Sequence, residues 1–175
     1  DWNGGSTQLE ATRVGRAVAH LDIMLEQPCE TIAQCAAVQQ ATGLPMKLDE
    51  NAHDTATLLE GHDRRCMDAV ALKLSKFGGL STMRQARDLC LYLGTRMCIE
   101  DTWGGAITTA AVLHLAAATP ARAILNCCDL ADYVGPALAD DIPKRTNGRI
   151  APPKGLGLGI TVNEDVLGTP QLILD

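Results

Sequence analysis

Short apolar segments alternate with longer amphipathic ones along the chain, and this alternation restricts the possible folds more than any other feature. Apolar residues recur at helical spacing in residues 7–21, 31–42, 54–62, 81–94 and 106–118. The apolar segments typical of strands are LDIML (21–25), PMKL (45–48), MDAVALKL (67–74), RMCI (96–99) and RAILNC (122–127). A strand followed by a helix, repeated at intervals of about 25 residues, predicts a parallel sheet.

Two α/β architectures contain such a sheet: a doubly wound sheet and a (β/α)8 TIM-type barrel. No GxGxxG motif follows the first strand, which disfavours a dinucleotide-binding sheet. A closed barrel usually takes about 200 residues or more, and the chain has 175. We therefore expect the C-terminal part of a barrel at residues 1–131, with the first barrel strands and a further domain upstream of Asp1 and absent from this sequence. Residues 132–175, rich in Gly, Pro and charge, are expected to form a tail that crosses to another domain.

Helix boundaries are predicted from capping residues. Thr31 and Ser81 suit the N-terminal cap of a helix, and Gly43 and Gly94 suit the C-terminal cap just before the next strand. The late GLGLG segment (155–159) has no helix after it, so we interpret it as a bend into a terminal strand.

Composition excludes several classes of function. The net charge is −6 and no basic stripe is present, which argues against nucleic-acid binding. No apolar run approaches the roughly 18 residues that span a membrane. The seven cysteines form no CxxC pair, which favours reduced, buried thiols in a cytoplasmic protein.

Acidic residues stand where three successive strands are expected to end: Asp1, Glu26 and Asp49. In parallel α/β folds the carboxyl ends of the strands form the active-site face. Three carboxylates gathered there would repel one another, and a divalent cation relieves that cost. Because oxygen ligands suit a hard cation, the pattern predicts a Mg²⁺ site.

A lysine, Lys73, lies on the next strand at the same phase. Near a cation and partly buried, its amine is expected to have a lowered pKa and to accept a proton. A metal that binds a substrate carboxylate makes the α-proton acidic and stabilises the enediolate left after its removal. Continued strand alternation would direct Ser75 inward and Lys76 outward, so we place Lys76 on the outer side or in the loop.

The segments DWNGG, LEQPC, LDE, LKLSKFGG and IEDTWGG together resemble the barrel domain of the mandelate racemase and muconate lactonizing enzyme branch of the enolase superfamily. The resemblance covers almost the whole chain. It implies that Asp1, Glu26 and Asp49 bind Mg²⁺ and that Lys73 is an acid/base catalyst. It also implies an N-terminal capping domain that is absent from this sequence and toward which the tail at 132–175 returns. It further implies a second catalytic lysine in a KxK motif on a strand that this sequence does not contain.

Within that family the chain is most similar to enzymes that act on hydroxyproline or proline betaine. The resemblance implies a small carboxylate substrate, bound by Trp103, Asp101 and Asn126, and a homo-oligomeric full-length protein. Trp103 would pack on the substrate's cationic nitrogen, while Asp101 would either pair with that nitrogen or cap the following helix. In these relatives an Asp often follows the WGG stretch, where this chain has Ala106.

Three functions stay open at this point. The leading one is Mg²⁺-dependent dehydration of cis-3-hydroxy-L-proline or a related hydroxylated proline. The second is racemisation or epimerisation of an amino acid or proline betaine by the same α-proton chemistry. The third is an inactive fragment that lacks the upstream catalytic lysine.

Overall fold

The computed structural model describes residues 1–128 and 135–173. Five parallel strands make the main sheet: β1 Leu25–Glu26, β2 Met46–Leu48, β3 Ala69–Lys73, β4 Arg96–Glu100 and β5 Ile124–Cys127. The helices around them are α1 Gln8–Val18, α2 Ile32–Thr42, α3 Thr55–Asp63, α4 Leu74–Phe77, α5 Leu80–Leu93 and α6 Ala106–Ala117, with a 3₁₀ turn at Ala121–Ala123. The predicted alternation of strand and helix is confirmed.

The order of the strands decides between the two predicted architectures. In the sheet the strands follow chain order, β1-β2-β3-β4-β5, and every neighbouring pair is parallel. A doubly wound sheet reverses its order at a switch point, and this one does not. Consecutive helices also contact one another, α1 with α2, α2 with α3 and α5 with α6. This arrangement is that of part of a (β/α)8 barrel.

The central strands are buried along nearly their whole length. All three residues of β2 and the first four of β3 are buried, as expected when both faces of a parallel sheet are covered. The strand predicted at 21–25 was too long, because Leu21, Ile23 and Met24 are at least 37% exposed. Only Leu25 and Glu26 pair with β2.

Capping explains where the helices begin and end. Thr31 caps α2 with a reciprocal capping box to Gln34, as predicted. Gly43 and Gly94 end α2 and α5 in the left-handed conformation, with φ of 71° and 74°. The prediction for Ser81 was wrong: α5 begins at Leu80, with Gly79 as its cap, so Ser81 lies inside the helix. Because Gly79 has φ 139°, a conformation that L side chains rarely adopt, the turn from α4 into α5 requires glycine there.

The core lies between the sheet and the helices. It contains Leu48, Leu58, Leu72, Met83 and Ile99, each fully buried. Cys29, Cys35, Cys66, Cys90 and Cys98 are buried thiols within this interior and form no disulfide. Burial raises the pKa of Cys35 and Cys66 to about 11 and that of Cys90 to about 12. Across the described ranges, none of the helices combines the length and apolar character that a membrane span requires.

After the main sheet, two short strands, β6 Ala139–Asp140 and β7 Thr161–Val162, pair antiparallel, and a last helix α7 follows at Glu164–Leu167. The GLGLG bend precedes β7 as predicted. His114 Nε2 on α6 lies 3.0 Å from the main-chain oxygen of Leu158, so the bend contacts this helix. The predicted domain boundary between residues 131 and 132 lies outside the described residues.

Candidate metal-binding and proton-transfer site

The carboxyl ends of the strands gather the buried charged side chains Lys47, Asp49 and Glu100. Strand register places Glu26 beside Lys47 on β1 and β2, and Lys73 beside Glu100 on β3 and β4. Asp49 follows β2 directly. Parallel pairing therefore brings carboxylates and ammonium groups from four strands to one edge of the sheet.

Asp49 is the most buried carboxylate at this edge, with 2% of its surface exposed. Its Oδ2 accepts a hydrogen bond from Lys73 Nζ at 2.6 Å, and its Oδ1 accepts one from Lys76 Nζ at 2.6 Å. Lys76 also donates to the main-chain oxygen of Asp49 at 2.7 Å. Burial alone would raise the pKa of Asp49, but the two lysines outweigh burial and hold that pKa below its ordinary value.

The two lysines converge because β3 ends at Lys73. Helix α4 begins at Leu74, so Lys76 lies on a helical turn and not on a continued strand. Of the two positions predicted for Lys76, the outer side is wrong, because Lys76 lies in the connection after β3 and contacts Asp49. Ser75, predicted to point inward, is exposed and instead binds Asp101.

The pKa of Lys73 is raised in this arrangement, whereas a lowered pKa was predicted for a partly buried lysine beside a cation. Burial acts to lower it, but the hydrogen bond and ion pair with Asp49 are stronger together and hold the pKa above its ordinary value. Lys73 is therefore a protonated hydrogen-bond donor in this arrangement.

A second charged group lies beside the first. Lys47 Nζ is 2.8 Å from Glu26 Oε1 and 3.9 Å from Glu100 Oε1, which links the ends of β1 and β4 through β2. Burial raises the pKa of Glu100, and the nearby lysines only partly offset that effect. No role was predicted for Lys47 or Glu100 from the sequence, although a lysine two residues before Asp49 in a buried strand was a usable signal.

Asp1 lies in the segment that pairs with the end of β1. Its Oδ1 accepts a hydrogen bond from the Asn3 N–H at 2.9 Å, and Asp1 is exposed. The chain beside it joins β1, because the Trp2 N–H donates to the Glu26 carbonyl at 3.3 Å. Asp1 is thus anchored next to Glu26 by main-chain pairing.

The three predicted substrate-binding residues follow β4 or lie on β5. Asp101 Oδ1 accepts hydrogen bonds from the Ser75 N–H at 3.3 Å, from the Ser75 hydroxyl and from the Thr102 N–H at 2.7 Å. It does not cap α6, whose cap is Gly105 with no side-chain bond. Trp103 is 67% exposed, and Asn126 is exposed on β5 opposite Cys98.

The donor chemistry of this edge fits a hard divalent cation. Asp49 is a buried carboxylate that already stabilises two positive groups, and Glu26 stabilises a third. Within residues 1–128 and 135–173, however, no three His, Cys, Asp or Glu side chains are grouped closely enough to hold an ion. In this arrangement lysine ammonium groups bind the carboxylate oxygens that a cation would use.

Comparison with known proteins identifies the family. Residues 1–166 match the enolase C-terminal domain-like family. A cis-3-hydroxy-L-proline dehydratase from Roseibium aggregatum is 45% identical over 170 residues, covering 97% of this chain and 46% of that protein. Muconate cycloisomerase 1 from Rhodococcus opacus is 29% identical over 83% of this chain and 40% of its own length.

Solved structures agree with the sequence relatives. A mandelate racemase/muconate lactonizing enzyme from Roseovarius nubinhibens superimposes with a TM-score of 0.93 at 35% identity, over 98% of this chain and 47% of that one. An enolase superfamily member from the same organism, complexed with magnesium, gives 0.91 at 32% identity, over 97% of this chain and 46% of that one.

The chain belongs to the enolase C-terminal domain-like family, in its mandelate racemase and muconate lactonizing enzyme branch. The resemblance found in the sequence is thereby confirmed. The chain spans about half the length of the relatives it matches.

Proposed function

We propose that this chain carries the metal ligands and one lysine of a Mg²⁺-dependent enzyme that removes the proton α to a carboxylate. We further propose dehydration of cis-3-hydroxy-L-proline, or a related hydroxylated proline, as its reaction. The observation that carries the proposal is the buried Asp49 carboxylate, held between Lys73 and Lys76 at the carboxyl edge of the sheet. The choice of substrate is supported by the 45% identical relative, which is a cis-3-hydroxy-L-proline dehydratase.

Glu26, Asp49 and Asp1 would hold the metal, since all three offer carboxylate oxygens from neighbouring segments. Bound Mg²⁺ supplies positive charge beside the substrate carboxylate, where negative charge develops as the α-proton leaves. That a solved family member contains magnesium supports this choice of ion.

Lys73 would accept the α-proton at Nζ. It must first be neutral, and Asp49 opposes that state by holding its pKa up. A cation bound to Asp49 would compete with Lys73 for the same carboxylate oxygens. Its charge would also reduce the effect by which Asp49 raises the pKa of Lys73. Lys76 keeps a second contact, to the Asp49 main-chain oxygen, and so restrains the Asp49 backbone independently of the carboxylate.

The loop after β4 would contact the substrate's nitrogen. Trp103 offers an exposed aromatic face, and a cation–π contact with a desolvated ammonium contributes about 2 kcal/mol. Asp101 is oriented by Ser75 on α4, which couples this loop to the segment that carries Lys76. Asn126 on β5 would complete the polar wall of the substrate pocket.

Replacing Lys73 tests the proposal in the intact protein that carries this chain. Lys73→Ala should reduce turnover by about 10²–10⁴-fold, the usual contribution of a general acid or base, and leave Mg²⁺ binding by calorimetry largely unchanged. Lys154→Ala, which removes an exposed lysine, is the matched control and should leave both unchanged. Loss of Mg²⁺ binding together with turnover would show that Lys73 maintains the metal site and is not the catalyst.

Product analysis tests the reaction. Dehydration gives a pyrroline carboxylate that reacts with o-aminobenzaldehyde. In deuterated water, deuterium at Cα of the recovered substrate, without that product, would instead identify a racemase or epimerase. Absence of both with the intact protein would overturn α-proton chemistry.

A further inference from the structure

We propose that Gln27 is a positioning residue that joins the three segments carrying Asp1, Glu26 and Asp49. The inference rests on the proposed function, because it assigns Gln27 to the same metal site. Gln27 immediately follows Glu26 and is fully buried, with none of its surface exposed. Its side chain forms hydrogen bonds with Cys29, Asp49 and Asn51, none of which is a predicted substrate-binding residue.

The Gln27 carboxamide joins the loop after β1 to the loop after β2. Its Oε1 accepts hydrogen bonds from the Asp49 N–H at 2.9 Å and from the Asn51 N–H at 3.4 Å. Its Nε2 donates to the Cys29 carbonyl at 2.9 Å and to Asn51 Oδ1. One side chain therefore fixes the backbone at Asp49 relative to the chain that carries Glu26.

The Gln27 backbone adds the third loop. Its carbonyl accepts a hydrogen bond from the Gly4 N–H at 2.7 Å, in the loop that follows Asp1. Its own N–H donates to the Lys47 carbonyl at 2.9 Å, on β2. All three segments with predicted metal ligands thus bond to this one residue.

Backbone geometry indicates that the arrangement is imposed on Gln27. Its φ is 31°, in the left-handed region that non-glycine residues rarely occupy. Strained backbone of this kind persists only where the surrounding contacts over-determine it, and it concentrates at functional sites. Glycine would relieve the strain but would lack the carboxamide, so the presence of glutamine indicates that the side chain is needed.

A second glutamine provides the matched control. Gln39 on α2 donates to Asp68 Oδ2 before β3, at the opposite edge of the sheet. Gln27→Met and Gln39→Met both replace a carboxamide by an apolar side chain of similar length. Only the first breaks contacts to the metal-binding loops.

The experiment measures binding of Mg²⁺ alone by calorimetry, and the free energy of unfolding, in the intact protein. Loss of residues that orient metal ligands typically weakens metal affinity by about 10–100-fold, and we expect this of Gln27→Met. Gln39→Met should bind Mg²⁺ like the wild type. Asn51→Ala, which removes one of the Gln27 contacts and leaves Gln27 in place, should show a smaller loss and covers the case in which Gln27→Met fails to fold.

The possible outcomes separate the two proposals. Wild-type affinity in Gln27→Met, or in Asn51→Ala if the first variant is unfolded, would overturn the positioning role and leave the proposed function intact. An equal loss of affinity in Gln39→Met would reduce the effect to general destabilisation and also overturn the role. Absence of Mg²⁺ binding in the wild type would overturn the proposed function, and the role of Gln27 with it.

Discussion

The two edges of the parallel sheet hold an aspartate carboxylate in different surroundings. At the amino edge, Asp68 is exposed, and its Oδ2 accepts hydrogen bonds from the Met46 N–H and from Gln39. At the carboxyl edge, Asp49 is buried and faces two ammonium groups. The first carboxylate completes the hydrogen bonding of a strand end, whereas the second holds charge in the interior at a desolvation cost. Of these two carboxylates, only Asp49 places charge in the interior beyond what the hydrogen bonding of a strand end requires.

Neutralising the two aspartates gives the largest expected contrast. Asp49→Asn leaves Lys73 and Lys76 without a counter-charge, and removing one partner of a buried ion pair destabilises a protein by about 3 kcal/mol or more. Asp68→Asn keeps an acceptor in water, so we expect a loss of about 1 kcal/mol or less. Urea unfolding of the two variants measures both values. Equal losses would show that the two edges do not differ.

Removing Lys47 tests the second charged group at the carboxyl edge. Lys47→Met leaves Glu26 and Glu100 without their shared ammonium, and we expect a loss of about 2 kcal/mol, as for hydrogen bonds to charged groups. The loss should depend on pH. Burial raises the pKa of Glu100 in the folded chain. The stability that this raised pKa contributes is therefore present below the pKa of the unfolded chain and is lost as the pH rises through the pKa of the folded chain.

Unfolding of Lys47→Met should therefore need less urea at neutral pH than at mildly acidic pH, relative to the wild type. A deficit that stayed constant with pH would show that Glu100 is not the group left uncompensated.

Buried thiols near the amino edge predict alkaline sensitivity. Cys90, near the end of α5, has a pKa raised by burial from 9.0 to about 12. Above pH 9 only the unfolded chain ionises this thiol, so stability falls as the pH rises, by up to about 1.4 kcal/mol per pH unit. Cys90→Ala lacks this titration. The stability difference between wild type and variant should thus shrink from pH 8 to pH 10, and a difference that stayed constant would contradict the buried thiol.

The smallest expected contrast compares helix caps at the two edges. Gly94→Ala forces a side chain into φ 74° with no steric clash, at a cost of about 1 kcal/mol. Thr31→Ala removes the capping box of α2, also at about 1 kcal/mol. Despite similar losses in thermal denaturation, only Thr31→Ala should lower turnover, since Thr31 adjoins Cys29 and Glu30, whose carbonyls bind Gln27 and Asn51. A fall in turnover for Gly94→Ala would contradict this separation.

Periodicity predicted much of this structure. The repeat of strand and helix, the caps at Thr31, Gly43 and Gly94, and the placement of Asp49 and Lys73 at one edge all depend on local signals that the chain carries. Whether Asp1, Glu26, Asp49 and Lys73 have the predicted roles remains for experiment.

Other features depend on contacts that a single sequence does not display. The position of Lys76 was wrongly predicted because the point at which β3 becomes helix depends on packing. The alternation of a strand was extended to Lys76, although β3 ends at Lys73. Lys47 received no role because its two partners come from strands about 20 and 50 residues away. The raised pKa of Lys73 also follows from a partner on another strand, which outweighs the burial that the sequence suggested.

Helix α4 is only four residues long, Leu74–Phe77, yet it determines how far apart two positive charges lie. On an extended strand, lysines three positions apart would project to opposite faces. A single helical turn brings them onto the same carboxylate. Adding or deleting one residue within this turn would rotate Lys76 by roughly 100° and break its contact with Asp49, while every buried strand kept its register. Natural variation in this segment should therefore be confined to substitutions, with length held constant.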